Sequence, residues 1–140
     1  MGGAIIMIIV IIYSMLQLFQ LQKIHTDWRE AGEESKRFLI SIEQYSKDSW
    51  IRSNMRFYFV GQPIRNGEAW FWPVGLKDAL WFTFKNPNLA VYSMSDINLA
   101  LDNAAAGSSS AHVFRFDNDG NVDEVVRAKD GQINLLNPPR

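Results

Sequence analysis

The richest concentration of oxygen ligands in the chain is DNDGNVDE, Asp117 to Glu124. A calcium loop of the form D-x-[DN]-x-[DN]-G needs an oxygen ligand five residues before its glycine, and Arg115 stands there. The stretch therefore predicts a hairpin turn with Asp119-Gly120 inside it. His25 and His112 are the only histidines and lie far apart in sequence, so one chain cannot assemble a multi-histidine metal site. Cysteine is absent, which excludes disulfides, thiolate nucleophiles and cysteine-held zinc or iron–sulfur centres. Ser108 to Ser110 lack the G-x-S-x-G elbow. Asp78, Asp96 and Asp102 are dispersed in helical contexts and read as caps or solvated faces, and His112 reads as a satisfied or surface residue. No catalytic residue, metal or other cofactor is expected.

The best-placed candidate for binding is the segment Gly61 to Gly75, which leaves a strand and enters a helix. Ligands of open α/β sheets collect at such carboxyl ends, and a helix N-terminus offers free N–H groups to anions. Neither G-x-G-x-x-G nor G-x-x-x-x-G-K-[ST] is present, so no nucleotide fingerprint supports it. Its polar and aromatic residues Gln62, Arg65, Asn66, Gly67, Trp70 and Trp72 form the candidate partner- or ligand-binding loop. Trp70, Phe71 and Trp72 have competing uses, as core filling, as a protein or lipid contact, or as a stacking surface for a small ligand.

Positioning those residues falls to the elements around them. Ala4 to Leu21 carries no formal charge and is apolar on every side up to Tyr13. A helix of ~18–20 such residues is roughly 27–30 Å long, close to the hydrocarbon thickness of a bilayer. The opening MGG supplies no basic n-region and QLFQLQKIHTDW no small-residue cleavage site, so a retained span is expected over residues 1–22 rather than a signal peptide. Ile6 stands where a myristoylation motif needs Ser or Thr. Tyr13 and Phe19 on the span, with Trp28 beyond it, are the expected contacts to lipid or to a partner helix. Lys23, Arg29, Lys36 and Arg37 follow the span, and the positive-inside rule places the rest of the chain in the cytoplasm.

Ile24, Trp28, Ala31, Ser35, Phe38, Ile42 and Tyr45 recur at spacings of four and three, predicting an amphipathic stalk helix over 23–48, continuous with the span. After a break at Asp48 to Asn54, a small α/β domain over 54–136 is expected in the order β-α-β-α-β-β. MRFYFV and LAVYSM read as strands, LKDALWFTF as a helix with Leu76, Ala79, Leu80 and Phe84 on one face, and INLALDNAA as a helix capped by Ser95 or Asp96. HVFRF and VDEVVRA then form a terminal hairpin, and AGSSSA is a flexible connector. Alternating strands and helices favour a mainly parallel sheet, with right-handed crossovers expected to put the two short helices on one face. Residues 137–140 are expected to be a disordered tail. The net charge is −1, with no basic stripe, so nucleic acid is not an expected partner. Membrane lipid and a larger integral membrane protein or complex are.

Trp28 and Ala31, then Pro63, Gly67, Gly75, Ala79 and Leu80, together with FRFDNDGNVDEV, give most of the chain a resemblance to one family. It resembles the C-terminal α/β tail, with the last membrane helix, of GT-C glycosyltransferase-like multispanning bacterial membrane proteins. The resemblance implies a strand, a Pro-x-x-x-Gly loop, an aromatic patch, a Gly-x-x-x-Ala-Leu helix and a closing hairpin. It says nothing about catalysis, since the family's active site lies in the multispanning part that this chain lacks, and that departure counts against transferase activity. It places the domain outside the cytoplasm, against the charge count. The side stays open, with the resemblance tipping it outward. Three functions stand as expectations: a non-catalytic single-pass accessory subunit of a larger membrane complex, a detached tail that binds glycan or lipid-linked sugar or completes a transferase in trans, or, last, a membrane-anchored enzyme of unknown type.

Overall fold

The computed structural model describes residues 2–46, 50, 54–63, 65–72, 75–107, 110–117 and 119–136. The expected tail 137–140 lies outside these residues, as do parts of the 48–54 break and of the AGSSSA connector.

One helix, α1 (Gly2–Glu43), carries both the apolar run and the amphipathic stripe without interruption. It is long and apolar enough to cross a membrane, with a mean hydropathy of 2.3 over its best 18-residue window, none of it buried. The core helix of a soluble domain would have that window covered. Burial begins only at Asp27 and continues through Ala31, Phe38, Ser41 and Ile42, with Tyr45 buried just beyond the helix end. Ile24 and Trp28, counted in the stripe from their spacing, are instead exposed. Ile24 lies below the first residue that the described part of the domain covers, and Trp28, within the covered stretch, is left out because the domain seats on Asp27 and Ala31 instead.

The remaining elements are β1 (Met55–Val60), β2 (Arg65–Asn66), β3 (Ala69–Trp70), α2 (Leu76–Phe84), β4 (Leu89–Met94), α3 (Ile97–Ala105), β5 (Ser110–Phe116), β6 (Val122–Arg127) and β7 (Ile133–Leu136). They form an α/β fold around a five-stranded sheet of order β4-β1-β5-β6-β7. β1 pairs in parallel with β4 and β5, and β5, β6 and β7 continue antiparallel. Asp96 caps α3 by accepting from the Leu99 N–H at 2.8 Å, filling a first-turn donor that has no intrahelical partner. Asp117, Asp119, Gly120 and Asn121 lie in the β5–β6 turn, where the Asp117 carboxylate accepts the backbone N–H of Asp119 at 2.9 Å and of Asn121 at 2.8 Å. Partial burial alone would raise the pKa of Asp117, but hydrogen bonds from Asn121, Asp119 and Gly120 together hold it below the usual carboxylate value.

The two short helices lie on opposite faces of the sheet, not on one. Leu76, Leu80 and Phe84 of α2 share a core with Phe57, Phe59 and α1, whereas Ala100 and Leu101 of α3 pack with Tyr58, Val60, Val113 and Val125. The strand order explains the difference. The chain steps from β1 to β4 in one direction, then from β4 back across β1 to β5. Crossovers of one hand that travel in opposite directions must cover opposite faces. Only the order of the strands, not their number, decides this.

The larger core is aromatic. Phe38 meets Phe59 and Trp72 edge-on, at 5.7 Å and 4.8 Å between centroids, and stacks on Phe116 at 5.2 Å. We expect Phe38→Ala to cost about 3–5 kcal/mol, the usual range for a buried aromatic, in chemical denaturation of the full chain in detergent. Phe82→Ala, at a ring 63% exposed, is expected to change stability by no more than about 0.5 kcal/mol.

Candidate functional site

The segment Gly61 to Gly75 is not a plain loop. Gly67 and Glu68 form a two-residue turn, and the flanking residues pair as a small antiparallel ribbon, Arg65 with Trp70 and Asn66 with Ala69. Two-residue strands have no alternation for a sequence pattern to reveal, so only the turn was visible beforehand. This β2–β3 ribbon lies on α1. The Glu68 N–H donates to Asp27 Oδ2 at 3.1 Å, Asn66 Nδ2 donates to Glu30 Oε2 at 3.1 Å, and Ser35 Oγ donates to the Phe71 carbonyl at 2.9 Å. Ala31, Ala69 and Phe71 close a small core beneath it. Gly67 has φ +55 and a Cβ there would overlap the Asp27 carboxylate, so both backbone angle and space call for glycine.

The six loop residues chosen from sequence therefore separate. Arg65, Asn66, Gly67 and Trp70 stay together on the ribbon, with the Arg65 guanidinium 4.4 Å from the Trp70 ring centroid. Trp70 is 46% exposed. Trp72 turns inward, packs on Phe38 and buries its indole nitrogen, so it belongs to the core rather than to a docking surface. Gln62 lies elsewhere, hydrogen-bonded to Ser93 Oγ at the end of the sheet. Tyr13 and Phe19 project from the exposed part of α1, and Trp28 is 46% exposed.

Gln62 and Ser93 line an open cleft of about 690 Å³ with Gly61, Leu76, Lys77 and Val91. It forms where β1 and β4 end side by side and their connections leave toward opposite faces, which is the topological switch point of an open α/β sheet. The sequence pointed to the strand end but not to Lys77 or Ser93, because the neighbour of β1 depends on strand order. Gly75 precedes α2 without a side-chain cap, and Asp78 occupies the first turn.

Elsewhere, His112 Nδ1 pairs with Glu124 Oε1 across the β5–β6 ladder, and the imidazole lies 4.9 Å from the Trp50 ring. Packing and pairing account for this histidine. Among the described residues no group of acidic or histidine side chains is arranged to hold a metal ion. The chain matches no protein family, curated protein or solved structure with which it was compared.

Substituting Gly67 tests the ribbon's seat on α1. We expect Gly67→Ala to lower stability by about 1–3 kcal/mol, the usual cost of a strained backbone position, and Asp27→Asn to lose less. The check is thermal unfolding of the full-length chain, with hydrogen exchange at Glu68 reporting the ribbon locally.

Proposed function

We propose that this chain is a single-pass membrane protein whose small α/β domain serves as a non-catalytic accessory subunit of a larger integral membrane protein or complex. The observation that carries the reading is the continuity of α1. Its apolar part is bare on all sides, and its distal part is built into the core of the domain through Phe38 and Ile42. A cleaved signal would have to be cut within this unbroken helix, in a stretch with no small-residue site. The aromatic faces of the span, Tyr13 and Phe19, are free to meet lipid or a neighbouring membrane helix. The edge strand β7 adds a second surface, with Ile133, Leu135 and Leu136 exposed on it. The accessory role rests on the sequence, which carries no nucleophile motif and no ligand set.

A second reading is favoured by the cleft between β1 and β4. A detached tail of the GT-C glycosyltransferase-like kind would bind glycan or lipid-linked sugar there, through Gln62, Lys77 and Ser93. The side of the membrane that carries the domain goes with this choice, since the resemblance favours the outside and the charges Lys23, Arg29, Lys36 and Arg37 the cytoplasm.

Gentle detergent extraction from native membranes, followed by native sizing and mass spectrometry, separates the two. We expect the chain to migrate in a larger assembly, and Leu135→Asp to release it if β7 is the contact. Migration as a lone small protein would contradict the subunit reading and direct attention to sugars at the cleft.

A further inference from the structure

The outer edge of the sheet at β7 carries an open row of main-chain groups. At the β6–β7 turn the Ala128 N–H donates to the Gln132 carbonyl at 2.8 Å. Along an antiparallel ladder such bonded pairs alternate with unbonded ones. Arg127 lies opposite Ile133, Val126 opposite Asn134, Val125 opposite Leu135 and Glu124 opposite Leu136. Asn134 and Leu136 therefore turn their N–H and C=O groups inward to β6, and Ile133 and Leu135 turn theirs outward. β7 is the last strand on that side of the sheet. Natural edges are guarded by charge, proline or a bulge. β7 reads Ile-Asn-Leu-Leu, and Ile133, Leu135 and Leu136 are exposed. β4, on the other edge, exposes only Tyr92 among its large apolar side chains. Leu135 pairs with Val125, which belongs to the α3 core, so Ile133 and Leu135 stand on the α3 side of the sheet.

In an anchored subunit, α1 limits what can lie along this edge. A second copy pairing antiparallel through β7 is related to the first by a half-turn about an axis normal to the sheet. α1 lies along the sheet face, with Phe38 on Phe116 and Tyr45 on Phe114. That half-turn would point the second anchor away from the bilayer that holds the first. A half-turn about the strand direction keeps both anchors in one bilayer, but it sets N–H against N–H, and no ladder forms. Head-to-tail pairing of β7 with β4 of the next copy continues the sheet, and a twist of roughly 20° per strand would swing each successive anchor by about 100°. No second copy anchored in the same bilayer fits this edge.

A different chain escapes these constraints, provided that it reaches far enough. α1 ends at Glu43, roughly 32 Å beyond Gln22 at 1.5 Å per residue. Tyr45, just past that end, donates to the Leu136 carbonyl. The headgroup zone adds only roughly 5–8 Å to the hydrocarbon, so β7 stands well clear of the lipid.

We propose that β7 receives a sixth strand from a different chain, an extended segment in the projecting part of the larger membrane protein, and this rests on the subunit reading above. Its backbone bonds Ile133 and Leu135, and its apolar side chains lie beside theirs on the α3 face. Strand addition of this kind takes affinity from the backbone and specificity from alternate side chains.

The test compares the full chain extracted from native membranes as wild type, Leu135→Pro and Leu135→Thr, by native sizing and mass spectrometry. Proline removes an outward N–H and leaves the β6 ladder whole, whereas threonine keeps the N–H and removes apolar surface. Leu135→Pro is expected to lose the assembly and Leu135→Thr to keep it. In the wild type, the peptide spanning 133–136 is expected to exchange hydrogen several-fold more slowly in the assembly than in the same chain alone in phosphatidylcholine bilayers. Should thermal unfolding show that Leu135→Pro does not fold, the exchange comparison decides. Release by both substitutions would mean a side-chain patch in place of a strand. Retention of Leu135→Pro, or equal exchange at 133–136, would leave β7 unpaired. Either result would overturn the added strand and leave the subunit reading standing. An assembly made of this chain alone, or a wild type that migrates as a lone protein, would overturn both.

Discussion

The structure depends on one packing interaction, the seating of the Phe38 face of α1 on the aromatic side of the sheet. Phe38 contacts Phe59, Phe116 and Trp72, and Ile42 and Tyr45 extend the same stripe along the sheet. Because α1 is unbroken, this contact ties the domain to a helix whose other end is bare and apolar. Burial of several large aromatic rings makes the junction a part of the core rather than a tether. Tyr45 reinforces it by donating to the Leu136 carbonyl at 3.1 Å, and Ser41 by accepting the Val122 N–H at 3.1 Å. The domain therefore inherits its position from the helix.

That geometry also orders the functional surfaces. Along α1 the ribbon comes first, then the β5–β6 turn, then the antiparallel edge of the sheet. β5 runs back toward the apolar end of α1, since Phe114 packs near Tyr45 and Phe116 near Phe38. The parallel strands thus turn their carboxyl ends, and the cleft between β1 and β4, toward the same end as the apolar run of α1. The exposed strand β7 stands on the other edge of the sheet from β4.

What the sequence made legible was local. An uncharged run of eighteen residues, a cap at Ser95 or Asp96, the period of α2 and the glycine turn at Asp119-Gly120 are each decided by neighbours in the chain. The features that escaped are decided at a distance. α3 crossed to the second face because β5 pairs with β1, which no stretch of sequence announces. β7 was missed because INLL is too short to alternate and has no buried residue. Ile24 kept the helical rhythm but lost its cover, since rhythm marks a face and only the domain decides how far that face is used, whereas Trp28 lies within the covered stretch and is exposed because the ribbon seats on Asp27 and Ala31 instead. The loop residues were read as one site because they are adjacent in sequence. The chain turns inward at Phe71, which places Trp72 in the core, and Gln62 stays at the strand end.

The apolar run and the domain share one continuous helix, and a distance across their boundary tests its rigidity most directly. Nitroxides at Leu16→Cys and Lys36→Cys flank the end of the apolar run, twenty residues apart. Pulsed electron–electron resonance on the full chain in bilayers is expected to give a single narrow distribution near about 30 Å, the axial rise of twenty helical residues. A broad distribution, or one centred well below that length, would mean that the helix breaks at the membrane surface and that the domain is merely tethered.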